Sequence, residues 1–449
     1  MSSQPYLATP AEIASASVEE TRLAYRKVAF RILPLLFVCY FFNYLDRTNI
    51  GIAQLQLKTD LGLSNAAYGL GAGLFYIGFI LFEIPSTLML DRSGVRKTLL
   101  RIMVGWGLVT CLTSLIRSPG QFYVARVLLG CAEAGFLPGI VLYLSYWFPV
   151  QRRARITAAF FVAIPTSGIL GSPLSGWILE HFSAAGGMQG WQWLFILEGL
   201  PSVLLGVVAF FALTDRPQQA GWLSERERHI VISTLTAEHR EKSDRGHESL
   251  MSVLRDPRVW VISYVLFASF MMANTLTFWS PTIIQSSGIA HIVNVGILSA
   301  IPPFMGIVAM LIVGRHSDHK MERRWHTAVP MLCAATGLAL LPVFRHNPVL
   351  SIALLSLVAT GHYSSLPTIY SLPSTYMSGG GAAGGIAVIT TIGSVGGAIA
   401  PSLLGLIRDL TGSFALGFQI YATIIALGAL TLLFVVPGRL LGEQARPEI

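Results

Sequence analysis

Long apolar segments with almost no charge limit what this 449-residue chain can fold into. Between Ile32 and Gln56 only Asp46 and Arg47 are charged, and 156–179 contains no Asp, Glu, Lys or Arg. A helix of about 20 apolar residues crosses the roughly 30 Å of bilayer hydrocarbon. Each such segment is therefore predicted to be a membrane-spanning helix.

Twelve spans are predicted in this way. They are 32–56, 66–90, 99–116, 121–149, 156–179, 191–213, 259–284, 292–314, 327–344, 348–377, 386–407 and 414–436. The tenth is interrupted by Pro367 and Pro373. A water-soluble fold is disfavoured because only 12% of the residues are charged, against about 25% in ordinary soluble domains.

The spans form two groups of six around a polar interval. We expect an all-α membrane protein with two pseudo-symmetric six-helix bundles. The predicted division is a tail at 1–27, a first half at 28–213, a linker at 214–258, a second half at 259–438 and a tail at 439–449.

The net charge of +8 follows the predicted topology. Of the 31 Lys and Arg residues, 25 lie on the side that holds both tails if Arg101, at the start of the third span, is counted there; four lie on the other side, and Arg47 and Arg126 lie deeper within spans. Such a bias marks the cytoplasmic side. We therefore expect a monomeric, multi-pass inner (plasma) membrane protein with both termini in the cytoplasm and no nucleic-acid partner.

The two halves carry related motifs. Asp91 is followed by Arg96 and Lys97, and Asp318, 227 positions later, is followed by Arg323 and Arg324. Gly168 and Pro173 in span 5 also match Gly396 and Pro401 in span 11, at a separation of 228. Internal repeats of this kind are typical of transporters whose substrate site lies between the halves.

The loop after span 8, with Gly314, Asp318 and Arg323, resembles the signature loop of the major facilitator superfamily. The loop after span 2 is the corresponding one, but Thr87 stands where the signature glycine is expected. Its residues with a predicted gating role are Asp91, Arg92, Gly94 and Arg96. The resemblance covers essentially the whole chain and implies a transporter.

Further segments are similar to the anion:cation symporter branch of that superfamily. They are Asn43 to Ile50, Phe82 to Ser86, Arg126 to Gly135, Trp193 to Gly199 and Phe278 to Ile284. The resemblance implies proton-coupled import of a small organic anion such as tartrate, an aromatic acid or a sugar acid. It also implies that Asp46 and Glu133 are proton-coupling acids and that Arg47 and Arg126 bind substrate.

Ionisable groups inside spans are costly in hydrocarbon and normally face a cavity or a partner. They are Asp46, Arg47, Glu83, Arg126, Glu133 and Glu198, with His362 as an addition. From helix rise, Asp46 is about 20 Å from one membrane face and Arg126 about 7 Å from the other. These depths nearly coincide, so we expect that Asp46 and Arg126 can meet, with Glu133 nearer the midplane.

Two interpretations of these charges remain open. Arginine suits a carboxylate substrate because its planar donors bind in a bidentate manner, and a carboxyl group buried beside it could take up a proton. Alternatively, the charges are permanent salt bridges between spans 1 and 4. Buried ion pairs are poor stabilising devices, which favours the functional interpretation.

Other spans supply weaker candidates. Glu83 is an inner gate or second coupling group, or else a helix contact, and His362 touches substrate or is a hydrogen-bonded core residue. Glu198 is interpreted as structural. The polar and aromatic candidates for the rest of the cavity are Tyr44, Tyr76, Phe79, Asn274, Trp279, Thr390 and Ser394.

The main alternative function is a proton-coupled exporter of drugs or cations on the same fold. The run from Gly168 to Gly176 partly resembles the antiporter signature, but Ser172 and Trp177 depart from it. Enzymatic function is not expected, because the sequence has no HExxH, metal-ligand cluster or Walker motif. No cofactor or metal is expected; protons are the expected coupling ion.

Overall fold

The computed structural model describes residues 17–149, 152, 156, 160–243, 255–320, 322–372 and 379–436. The predicted tails at 1–27 and 439–449 therefore lie largely or wholly outside the described residues. Among the residues that are described, the secondary structure is helical and contains no strand. The prediction of an all-α membrane fold is confirmed.

The helices of the first half and the linker are numbered here in chain order. They are α1 Val18–Asp60, α2 Asn65–Ser93, α3 Val95–Thr113, α4 Pro119–Glu133, α5 Phe136–Trp147, α6 Ala163–His181, α7 Gly190–Ala212 and α8 Glu225–Ser243.

The second half continues the numbering. Its helices are α9 Pro257–Asn274, α10 Ser280–Ser286, α11 Ile292–Ser299, α12 Ile301–Lys320, α13 Arg324–Leu340, α14 Pro348–Ser371, α15 Gly379–Thr411 and α16 Ala415–Val435. A π-helical turn, Thr275–Trp279, joins α9 to α10.

The starts of the helices follow from local sequence. Ser17 and Glu20 form a capping box at the start of α1, and Ser64 caps α2. Ser118, Asp256 and Asn347 cap α4, α9 and α14, each followed by a proline at the first helical position. Proline fits there because its missing N–H has no partner in a helix anyway.

Within the described ranges, nine helical segments are long and apolar enough to cross a membrane by themselves. The other three predicted spans correspond to α3, α6 and α13. The sequence explains why these three do not stand out: α3 begins with basic residues and α6 is rich in Gly, Ser and Pro, whereas α13 is short, with 17 residues. Together the described helices follow the twelve predicted spans.

Three spans are not continuous helices. Span 4 breaks after Glu133, where Ala134 is extended and Gly135 adopts a left-handed conformation with φ of 85°. Span 7 contains the π-helical turn, and span 8 is divided between α11 and α12. The break in span 4 frees backbone groups beside Glu133, an arrangement that transporters use at substrate and ion sites.

The helix contacts repeat between the halves. In the first half α1 packs on α6 and α7, and α3 packs on α4 and α7. In the second half α9 packs on α15 and α16, and α13 packs on α14 and α16. Contacts between the halves follow the same symmetry, because α2 packs on α15 and α6 packs on α11 and α12.

The halves approach most closely on the side opposite the ends of α1 and α16 that lead to the termini. We call this the far side and the other the terminus side. There Gly51 lies against the Thr277 carbonyl, Gly69 against Pro401, and Gly176 against Gly296. Glycine permits such backbone contact between membrane helices, because it has no side chain.

The linker helix α8 packs on the first half. Lys27 of α1 donates to Glu227 at 2.7 Å, and Trp222 stacks on Trp147 with 5.5 Å between ring centroids. Partial burial opposes ionisation of Glu227, yet the hydrogen bond from Lys27 brings its pKa below the ordinary value. The linker is thus attached to the first half by both charge and aromatic packing.

Candidate functional site

A cavity lies between the halves. It is bounded by α1, α2, α4, α5 and α6 on one side and by α9, the π-helical turn and α14 on the other. Aromatic rings line most of it: Tyr40, Tyr44, Phe75, Tyr76, Phe161, Phe270, Phe278, Tyr363 and Tyr370. Two arginines, Arg47 and Arg126, also reach its wall.

Arg47 and Glu133 form an ion pair at this cavity. The Nε and Nη2 atoms of Arg47 donate to the same oxygen, Oε1 of Glu133. The Glu133 side chain is 1% exposed and that of Arg47 is 19% exposed. The pair is electrically neutral when Glu133 is ionised, so Arg47 adds no net charge to the site in that state.

Aromatic rings hold the Arg47 guanidinium from three directions. Its central carbon lies 5.1 Å from the ring centroid of Tyr44 and 5.2 Å from those of Phe75 and Phe79. Cation–π contacts of this kind are stronger when the cation is removed from water. Phe79, a predicted substrate contact, lies outside the cavity lining and contacts Arg47.

Arg126 is buried without an ion-pair partner in the described part of the chain. Its guanidinium lies over the Phe75 ring at 5.1 Å, and its Nε has no hydrogen-bond acceptor among those residues. A buried cation without a counter-ion is costly in a membrane protein and normally marks a ligand or ion pathway. Arg126 therefore supplies the net positive charge of the cavity.

Asp46 does not meet Arg126, contrary to the expectation from depth alone. Its carboxyl accepts from Asn49 of its own helix and from Ser202 of α7, each at 3.5 Å. Neighbouring residues on a helix point about 100° apart. Because Arg47 faces the cavity, Asp46 is directed into the interior of the first half.

Tyr76 and Asn274 connect the two halves beside the cavity. The Tyr76 hydroxyl donates to Asn274 Oδ1 at 3.1 Å, and both residues are buried. The Asn274 amide donates in turn to the Phe270 carbonyl at 2.7 Å. Asn274 follows Arg47 by 227 positions, the separation between the two signature-loop aspartates, so the repeat places unlike polar groups on opposite walls.

One of the remaining predicted contacts lines the cavity and another lies outside it. His362 is in the lining and hydrogen-bonds Ser269 at 3.1 Å. Trp279 is outside the cavity lining, on the far side, where its ring packs against Tyr68 and Phe414.

Two predicted polar contacts in α15 are also outside the lining of this cavity. Thr390 donates to the Ile386 carbonyl of its own helix at 3.0 Å, and Ser394 is buried within the bundle. A hydroxyl that bonds the preceding helical turn is common for Thr in membrane helices. Their predicted contact with substrate stays a prediction.

Glu83 lies on α2 toward the terminus side, four residues after Phe79. Its side chain is partly buried and interacts electrostatically with Arg47. This position lies between the cavity and the terminus side, as a gating group requires. Its predicted gating or coupling role stays a prediction.

The loop after span 2 docks on the end of α7. Gly94 has a φ of 80°, and an added Cβ would meet the Asp215 carboxylate. The Arg96 backbone N–H donates to Asp215 at 2.9 Å, and its Nε donates to the Phe210 carbonyl at 2.7 Å. The side chains of Asp91 and Arg92 lie outside the described part of the chain.

The loop after span 8 docks similarly on the end of α16. Arg324 donates to the carbonyls of Leu433 and Val436, both at 3.0 Å. Arg323 pairs with Asp318 at 2.6 Å. The space around Gly314 is open. Each loop thus ties its own half together, at a distance from the cavity.

Both sides of the cavity are narrowed, in different ways. The far side is closed by the backbone contacts between the halves. On the terminus side, Phe161 of the first half stacks on Tyr370 of α14 with 6.0 Å between ring centroids. Among the described residues, this contact between side chains narrows the terminus side.

Two six-helix halves around a central charged cavity define a multi-pass membrane transporter. The chain belongs to the Major Facilitator Superfamily, whose pattern matches residues 36–401. Proteins of this family are transporters, not enzymes.

Three known proteins illustrate the relationship. The chain is 44% identical to an Agrobacterium vitis protein named for tartrate transport, over 92% of this chain and 94% of that one. It is 36% identical to a quinolone resistance transporter of Acinetobacter baumannii, over 92% and 95%. The crystal structure of a D-xylose-proton symporter has the same fold, with a TM-score of 0.75, 16% identity and coverage of 91% and 98%.

Sequence reasoning missed Phe75, which contacts both Arg47 and Arg126. Its spacing from Phe79, one helical turn away, was a usable signal, since residues four apart share a helix face. It also missed Phe161 and Tyr370, whose pairing depends on how two distant helices meet.

Proposed function

We propose that this transporter imports a small organic anion by proton symport. The observation that carries the proposal is Arg126, a buried cation that forms no ion pair of its own among the described residues, beside the Arg47–Glu133 pair. A carboxylate would supply the missing partner of Arg126. Arginine binds carboxylates through two parallel hydrogen bonds.

The ion pair offers a way to couple the anion to a proton. While Glu133 is ionised it holds Arg47, and the two arginines and one carboxylate give the cavity a net charge of +1. Protonation of Glu133 would release Arg47 and raise that charge to +2. The anion then binds more tightly, and by linkage a bound anion favours protonation by the same factor.

Alternating access would carry the loaded site across the membrane. The close backbone contacts on the far side and the Phe161–Tyr370 stack on the terminus side are the two closures that would have to open in turn. Rocking of one repeat against the other around a fixed site is the mechanism that two-fold repeats permit. We further propose that the functional unit is a monomer.

The basic residues on the terminus side support an orientation with both termini in the cytoplasm of an inner-membrane protein. We also propose that the chain divides into two halves at 28–213 and 259–438, joined by the linker.

The test is uptake by proteoliposomes that contain the purified protein. Tartrate, an aromatic monocarboxylate and a sugar acid are supplied separately with an inward proton gradient. We expect accumulation of at least one of them, abolished by a protonophore. Full accumulation driven by a sodium gradient alone would show that sodium, and not the proton, is the coupling ion.

A second candidate is proton-coupled export of a drug or cation. The relative named for quinolone resistance and the aromatic cavity wall favour it. The unpaired Arg126 opposes a cationic substrate, because like charges repel in a site of low dielectric constant. Proton-driven export of tetraphenylphosphonium without carboxylate uptake would favour this candidate.

A further inference from the structure

A second group of buried acids lies inside the first half, away from the cavity lining. Asp46 of α1 and Glu198 of α7 are each 2% exposed. The Asn49 side chain donates to the Asp46 carboxyl at 3.5 Å and also faces the Glu198 carboxyl. The Ser202 hydroxyl contacts both the Asp46 carboxyl and the Glu198 carbonyl at 3.5 Å. The two acids are therefore close neighbours on facing helices.

No cation balances this pair within the described part of the chain. The groups that face Asp46 are the carboxyls of Glu198 on α7 and Glu133 on α4, and the Cys111 thiol on α3. Glu133 already pairs with Arg47. Two carboxylates without a counter-ion repel each other strongly in a low-dielectric interior.

The hydrogen bonds of the pair are also incomplete among the described residues. Ser175 of α6 donates to Glu198 Oε1 at 2.9 Å, whereas Glu198 Oε2 has no partner. The indole of Trp106 is fully buried and faces the Asp46 carboxyl, and its Nε1 has no partner within hydrogen-bond distance. Buried polar atoms without a hydrogen-bond partner in the protein normally bind a proton, a water molecule or an ion.

We infer that Asp46 and Glu198 form a proton-holding carboxyl pair, in which Glu198 is a coupling residue alongside Asp46. One proton on the pair removes the repulsion between two charges. When acids interact this strongly, they lose protons as a unit rather than independently. Asp46 is adjacent to Arg47 in the chain, so the pair is linked to the cavity through α1.

This inference rests on the proposed symport for its role in uptake, but not for the presence of the proton. The first test is therefore spectroscopic. Infrared spectra of the purified protein at pH 7 report the carbonyl stretch of neutral carboxyl groups. Wild type is compared with Glu198→Gln, Asp46→Asn, the double variant and the control Glu19→Gln, an exposed acid at the start of α1.

We expect a neutral-carboxyl band in the wild type and in the control. The band should persist in each single variant, because burial without a counter-ion keeps the remaining acid neutral, and only the double variant should lose it. An unchanged band in the double variant, or a loss that is additive over the single variants, would overturn the pair.

The second test measures transport. Under a gradient of one pH unit, loss of one coupled proton lowers accumulation about tenfold. We expect that loss in Glu198→Gln with substrate counterflow retained. If wild-type uptake is not driven by protons, the proposed function fails while the infrared result still stands. If uptake is proton-driven and Glu198→Gln accumulates normally, only the role of Glu198 is wrong.

Ser175→Ala tests the same pair in case the variants of the two acids do not fold. It keeps both acids and removes the hydroxyl that donates to Glu198. We expect the neutral-carboxyl band to persist and its midpoint pH to move. An unchanged midpoint would contradict the assignment of the band to Glu198.

Discussion

Replacing Glu133 by Gln imitates permanent protonation of the acid that holds Arg47. The amide has nearly the shape of the carboxyl group but no charge, so Arg47 loses its ion-pair partner. If the proposed coupling is right, the variant binds the anion as if a proton were always present. Binding should then be tighter at neutral pH and should depend less on pH, because one of the groups that bind a proton is gone.

The size of the effect follows from the charge that Arg47 adds. At about 4 Å and an effective dielectric constant of about 20, two unit charges attract by about 4 kcal/mol. The Arg47 side chain is 19% exposed, and solvent screens part of this energy, so we take about 1.5 to 2 kcal/mol. At about 1.4 kcal/mol for each tenfold change, affinity at pH 7.5 should rise about 10- to 30-fold.

The assay is isothermal titration of the purified protein with the carboxylate that gives the largest uptake. Glu225→Gln, which removes an exposed charge on α8, is the matched control and should bind like the wild type. In proteoliposomes, Glu133→Gln should retain counterflow and lose proton-driven accumulation. Wild-type affinity and pH dependence in Glu133→Gln, or intact accumulation, would refute the release of Arg47 by protonation.

Three further predictions concern the cavity and the closure between the halves. Arg126→Lys should weaken anion binding by at least about tenfold with normal expression, and Arg47→Lys should weaken it to a smaller extent, because lysine keeps the charge but loses the planar donors. Near-normal titration curves for both variants would contradict the two-arginine site. Tyr76→Phe removes the hydrogen bond to Asn274 and should lower the free energy of unfolding by about 1 kcal/mol, measured by thermal unfolding, with no change expected if the bond is dispensable. Gly73→Val places a side chain against Ala398 at the far-side contact and should leave the far side open, so a far-side cysteine probe should react faster than in wild type.

The sequence determined the membrane fold because the cost of leaving apolar surface in water is local and additive. Run length alone predicted twelve spans, and the 227-residue repeat predicted two related halves. Arg126 and Glu133 were identified for the same reason: a charge inside a hydrocarbon segment needs a compensating interaction wherever the helix packs. Even the starts of α4, α9 and α14 follow from nearby residues, because each has a polar capping side chain followed by a proline.

Only the tertiary structure decided which of these charges meet. Helix depth placed Asp46 level with Arg126. The rotation of α1 instead turns Asp46 toward Glu198 and places Arg47 in an ion pair with Glu133. Rotation of a buried helix depends on packing against several others, and no single segment encodes it. The break at Gly135, which positions Glu133, and the cation-free pair of Asp46 and Glu198 likewise arise from contacts between residues far apart in the chain.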